Sequence, residues 1–117
     1  MKRKCDHQAE MCGEYYDVLI EALRHVAYRC GYALAVHGSL KRDIDLIACP
    51  WRDTAVDAYH LMDKIQKATL SIIGVARVKK FDEQPEEKPC GRLAWVFYLT
   101  PDDNGVYLDI SVMPKGK

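Results

Sequence analysis

Asp43-Ile44-Asp45-Leu46 alternates carboxylate and aliphatic side chains one residue at a time. In a strand, residues two apart share a face and lie about 7 Å from one another along the chain. The pattern predicts a strand over residues 43–49, with Asp43 and Asp45 on one face and Ile44, Leu46 and Ala48 on the other. The aliphatic face demands cover. The carboxylate face demands water or a counter-charge, because neighbouring carboxylates repel and each resists ionisation as water is withdrawn. Pro50 has no amide to donate and ends the strand.

The other elements follow from period and punctuation. Tyr16, Leu19, Ile20, Leu23, Val26, Ala27 and Cys30 recur at three- and four-residue steps, predicting an amphipathic helix over about 13–30 that stops at Gly31. Residues 1–12 lack that period and are expected to form a flexible arm before a single domain over 13–117. Residues 32–37 read as a short strand ending at Gly38-Ser39. Only Leu40, Lys41 and Arg42 follow before Asp43, so the two strands are expected to pair as a hairpin. Asp53 or Thr54 is expected to cap a helix over about 55–73, buried along Ala58, Leu61, Met62, Ile65, Ala68, Thr69 and Ile72 and closed by Gly74. Residues 75–81 read as a third strand, and 82–91, broken by Pro85 and Pro89, as an exposed acidic loop. Two further strands, 92–100 and 106–113, are expected to join through a tight turn at Asn104-Gly105. The expected fold class is α+β: a mixed or antiparallel sheet of about five strands, two long helices packed on one face, and the other face open to solvent or a partner.

At 117 residues the chain has room for one domain. Its 17 basic and 17 acidic residues balance, so net charge gives no support to nucleic-acid binding, though a local patch is compatible with it. No apolar run approaches a membrane span, and the opening MKRKCDHQAE carries no apolar secretion segment. Five cysteines, an odd number, read as free thiols of a cytoplasmic protein. Cys5, His7 and Cys12 have ligand chemistry, but their spacing is not a usual zinc pattern.

A third carboxylate, Asp109, interrupts the apolar strand VYLDISV, where an unpaired charge is expensive to bury. If that strand neighbours residues 43–49, three carboxylates converge. Hard cations such as Mg²⁺ or Mn²⁺ prefer these oxygens and those of phosphate, and a carboxylate trio suits a pair of cations about 4 Å apart for phosphoryl or nucleotidyl transfer. Gly38 allows close backbone approach, the Ser39 hydroxyl can hold a phosphate, and Lys41 and Arg42 can neutralise its charge. Plainer roles stand beside these. Asp43 or Asp45 can pair with Lys41 or Arg42 at a hairpin turn, Asp109 with Arg92 or Arg77, and Ser39 can be an ordinary turn residue. His37 at the strand end can contact a phosphate or simply be satisfied there. Trp51 is the exposed candidate for stacking a base, whereas Trp95 reads as core or sheet face.

The strings HGSLKRDIDLI (residues 37–47) and YLDIS (residues 107–111) resemble the nucleotidyltransferase-fold superfamily, which includes DNA polymerase beta and the minimal nucleotidyltransferases. The family pattern is a Gly-Ser at a strand end, Asp-x-Asp on the next strand and a third acidic residue on a later one. Gly38-Ser39, Asp43 with Asp45, and Asp109 match it, and the preceding helix fits the family order, so the resemblance covers residues 13–113. The chain resembles the short uncharacterised members of this superfamily found in bacteria and their phages. The resemblance implies that Asp43 and Asp45 hold the metals, that Asp109 binds the catalytic metal and helps activate the attacking hydroxyl, and that Gly38-Ser39 helps hold a nucleoside triphosphate. Leu40, Lys41 and Arg42 replace the longer family insert, with its short helix, between Gly-Ser and the first aspartate. The chain shows no counterpart of the helical domain that often completes the nucleotide site, a role that a separate protein partner fills for some minimal members. The expected function is metal-dependent nucleotidyl transfer to an unspecified acceptor. The alternative is a catalytically inactive protein of this fold, serving as an interaction module through its open sheet face or the 82–91 loop.

Overall fold

Alternating burial along the strands organises one mixed sheet in the computed structural model, which describes residues 4–38, 40, 43–74, 77–78, 85–100 and 106–115. The elements run α1 (Lys4–Arg29), β1 (Tyr32–Val36), β2 (Asp43–Pro50), α2 (Ala58–Ile73), β3 (Arg77–Val78), β4 (Glu86–Glu87), a short 3₁₀ turn (Pro89–Gly91), β5 (Leu93–Tyr98) and β6 (Tyr107–Val112). The sheet order is β1-β2-β6-β5-β3, with β4 also pairing to β5. β1 and β2 form the expected antiparallel hairpin, β2 and β6 run parallel, and β5 is antiparallel to β6. The fold is therefore α+β, a mixed sheet with two helices packed against it.

One face of the sheet is the core. Tyr32 and Leu34 of β1, Ile44, Leu46 and Ala48 of β2, Leu108, Ile110 and Val112 of β6, and Trp95 and Phe97 of β5 are all buried. They form one cluster with Leu19, Ile20, Leu23, Ala27 and Cys30 of the first helical stripe and Leu61, Met62 and Ile65 of α2. Polar groups that enter this core find partners. The Tyr32 hydroxyl donates to the Val56 carbonyl at 2.6 Å, and the Thr69 hydroxyl to the Ile65 carbonyl at 2.8 Å. Trp95 meets Tyr59 edge to face, with ring centroids 5.5 Å apart.

Several expected boundaries move. α1 starts at Lys4, ahead of the apolar stripe that begins near Gly13. Lys, Gln, Ala, Glu and Met favour the helix by backbone propensity alone, which an apolar period does not register. The cap of α2 is Asp57, neither Asp53 nor Thr54. Its carboxylate accepts from the His60 amide at 2.8 Å, while Ala55 and Val56 are held before the helix by bonds to the Arg52 and Cys30 carbonyls. Gly74, with φ 88°, closes α2 as expected. Ile72, expected on the buried side, is 40% exposed. The inward stripe steps by four from Thr69 to Ile73, which packs on the core in its place. Part of the expected 82–91 loop is ordered as β4 and the 3₁₀ turn, because Glu86 and Glu87 find ladder partners in Ala94 and Leu93. The Asn104-Gly105 turn and the flanks of β3 lie outside the described residues. Among the described residues no helix is long and apolar enough to cross a membrane.

Candidate acidic site

The opposite face of the same strands carries the three aspartates. In β2, Asp43 and Asp45 are half-buried between buried Ile44 and Leu46, and in β6 Asp109 is half-buried between buried Leu108 and Ile110. The parallel register makes Asp45 the direct partner of Asp109, with Asp43 partnered by Tyr107. Had the register of β6 slipped by one residue, Asp109 would face the helices.

Burial raises the pKa of Asp45, and the charges of Asp109 and Asp43 push it further; His37 partly offsets them. Asp109 is raised first by burial and then by Asp43, against the positive charges of Lys88, His37 and Arg92. The site therefore holds negative charge that it solvates poorly.

The β1 side of the site is built by the hairpin. The His37 amide donates to the Asp45 carbonyl at 2.8 Å, extending the ladder by one bond. Gly38 follows with φ +93°, and a Cβ placed there would stand 2.9 Å from the Asp45 Oδ2. Glycine takes this left-handed turn without strain, and its lack of a Cβ leaves that carboxylate room beside the backbone. Ser39, Lys41 and Arg42, the other residues expected to hold phosphate, lie outside the described residues.

The aromatic pair Tyr98–Tyr107 and the cation Lys88 went unrecognised in the sequence, whereas Arg92 is one of the partners expected for Asp109. Tyr98 and Tyr107 are partners across β5 and β6 and meet at 5.0 Å between ring centroids, placing aromatic surface beside Asp43. Tyr107 stands two residues from Asp109, so strand parity was the signal for it. On the β5 side, the 88–92 turn brings Lys88 and Arg92 toward Asp109. The Lys88 amide donates to the Arg92 carbonyl at 2.8 Å around the left-handed residues Cys90 and Gly91. Arg77, the other candidate partner of Asp109, lies on β3 with its backbone in register with Tyr98.

Trp51 is exposed as expected, but lies beyond the far end of β2 from Asp43. It stacks on Tyr28 at 5.4 Å, and the Arg52 guanidinium sits 5.2 Å from its ring centroid.

The donor chemistry suits a hard divalent cation: three carboxylates on one face, two with raised pKa, beside a glycine backbone in contact with one of them. The grouping is open, however. Among the described residues no three His, Cys, Asp or Glu side chains are gathered as a metal-holding set. A shared cation therefore requires the carboxylates to come closer together than they stand. No protein-family model, curated protein or solved structure matches the chain.

Proposed function

We propose that the acidic face is a cation-dependent nucleotidyl-transfer site. The observation that carries this reading is the register of Asp45 with Asp109 on parallel strands, on the face that also bears Asp43, with Gly38 against the Asp45 carboxylate. Asp43, Asp45 and Asp109 would hold Mg²⁺ or Mn²⁺, which when bound supplies positive charge to the phosphoryl oxygens as negative charge develops there. Gly38 gives a phosphate chain close approach to the backbone, and Ser39, Lys41 and Arg42 follow it in sequence with a hydroxyl and two cations. Asp109, on the β5 side of the row, orients the acceptor hydroxyl and takes its proton. The hydroxyl oxygen bonds to the α-phosphorus, the bond from that phosphorus to the bridging oxygen breaks, and pyrophosphate leaves with the electron pair. Tyr98 and Tyr107 offer a surface for a base or sugar.

Calorimetry with ATP, GTP, CTP and UTP, each with Mn²⁺ and then with EDTA, tests this without knowledge of the acceptor. Binding is expected with Mn²⁺ only, because a triphosphate and three carboxylates otherwise repel. Asp43→Asn or Asp45→Asn should weaken it strongly, and Ser39→Ala modestly. Absence of binding by every triphosphate at millimolar concentration with Mn²⁺ would contradict the reading. The open arrangement of the carboxylates favours, as a second reading, a catalytically silent module that uses this face to bind a protein partner.

A further inference from the structure

The acidic row is bordered on its β5 side by the opposite charge. Strand alternation puts Arg92, Ala94 and Val96 on the face that bears Asp109, and Val96 is the register partner of Asp109. This end of the face is closed over: Ala94 and its partner Ser111 are 5% and 6% exposed. Within that cover the Arg92 Nε is buried and has no hydrogen-bond partner among the described residues. Burying a charged donor without an acceptor forfeits its hydration with no return, but the residue as a whole is only half-buried, so an incoming anion meets the part of the side chain that remains exposed. The turn is built to hold it there. Cys90 and Gly91 adopt φ 67° and 75° in succession, the Lys88 amide closes on the Arg92 carbonyl, and Gly91 lies against Pro114, whose Cγ would be 3.5 Å from an added Cβ. Lys88 brings a second cation to the same turn, tethered to Glu86 at 3.1 Å.

We propose that the 88–92 turn is a phosphate seat, with the Arg92 guanidinium as its anchor and the Lys88 ammonium as its second cation. A guanidinium presents its N–H groups as a planar fork that matches two oxygens of one phosphate, and an ammonium adds a point charge. Which substrate brings that phosphate rests on the nucleotidyl-transfer reading. Gly38 meets the carboxylate row at Asp45 from β1, whereas Arg92 lies on the β5 side, nearest Asp109. A triphosphate lying along Gly38 leaves the 88–92 turn to the second substrate. That substrate is then a hydroxyl compound carrying a phosphate of its own.

Inorganic phosphate, titrated calorimetrically into the full chain in EDTA, tests the seat apart from the metal site. The wild type should bind with a millimolar dissociation constant. Arg92→Gln should weaken binding about tenfold or more, as expected for loss of a charge-assisted fork, and Arg92→Lys should recover part of it. Lys88→Gln should weaken binding less, and it carries the test if Arg92→Gln does not fold by circular dichroism. Asp45→Asn should keep or tighten phosphate binding, since it removes a negative charge nearby. With Mn²⁺ and ATP present, phosphate should still bind; competition between the two would overturn the assignment to the acceptor. No phosphate binding at tens of millimolar, or equal binding by the wild type and the Arg92 and Lys88 variants, would overturn the seat itself. Failure of the nucleotidyl-transfer reading looks different: ATP binding would ignore Mn²⁺ and Asp45→Asn, while phosphate binding still depended on Arg92.

Discussion

The two faces of the β2–β6 pair are made by the same twelve residues and obey opposite rules. Toward the helices, Ile44, Leu46, Ala48, Leu108, Ile110 and Val112 are each at most 2% exposed, and their chemistry asks only for packing. On the opposite face, Asp43, Asp45 and Asp109 are held half-buried by the same backbone, and burial raises the pKa of Asp45 and Asp109. The helical face is satisfied by packing alone, whereas on the acidic face Asp45 and Asp109 hold charge against burial and mutual repulsion. On the proposed reading, that strip awaits a cation from outside the chain.

The sharpest way to break the contrast is to damage the packed face. Leu46→Ala should cost about 2–5 kcal/mol of unfolding free energy, the range for a large-to-small change in a rigid core. Leu46 is 1% exposed and sits immediately after Asp45. Chemical denaturation with and without Mn²⁺ reads the outcome: a large fall in midpoint, with the Mn²⁺-dependent shift retained. Loss of that shift would mean the two faces are coupled rather than independent.

Gly38→Ala tests the contact between hairpin and site. The substitution forces a left-handed φ on a residue with a Cβ and drives that Cβ to 2.9 Å from the Asp45 Oδ2. A loss of about 1–3 kcal/mol is expected. In an Asp45→Ala background the contact part of the penalty should vanish while the backbone part remains, so the double-mutant cycle should give a coupling energy. An additive result would place Gly38 away from Asp45.

Much of this contrast was legible in the sequence. Asp43-Ile44-Asp45-Leu46 alternates as a half-covered strand does, and YLDIS repeats the device at Asp109. Those two strings set the parity within each strand, while the pairing that brings Asp109 beside Asp45 was only a condition until the fold supplied it. What could not be read was how far apart the carboxylates stand, because rotation of three short side chains leaves no mark in spacing. The helix start at Lys4 was missed because its first turns follow propensity rather than an apolar stripe. Asp57 was missed as a cap because Asp53 and Thr54 offer the same chemistry a turn earlier, and only the bonds of Ala55 and Val56 to Arg52 and Cys30 delay the helix. The sequence offers Arg92 as a partner for Asp109, but nothing in it says that the Arg92 Nε is buried without an acceptor among the described residues.

A smaller effect should appear with pH. A carboxyl whose folded pKa is raised binds more protons folded than unfolded in the interval between the two values, so stability falls as pH rises through it. Below the ordinary value of 3.8, Asp45 and Asp109 are neutral in both states and impose no penalty; above their raised values the penalty is complete. In EDTA, the stability gap between Asp45→Asn and the wild type should be widest at neutral pH and close as pH falls toward 3.8. A gap independent of pH would assign it to packing rather than charge.

The most direct test of the account is the thermal unfolding midpoint of the wild type and Asp45→Asn, each in EDTA and across a Mn²⁺ titration at neutral pH. If the acidic face is charge that the chain cannot satisfy alone, Asp45→Asn starts a few degrees higher in EDTA, on the scale of the several degrees per kcal/mol of a domain this size. The wild type then rises with Mn²⁺, as a ligand that binds only the folded state requires, and the variant does not. A clear fall of Asp45→Asn in EDTA, together with equal Mn²⁺ responses from both proteins, would contradict the account and make Asp45 a structural residue.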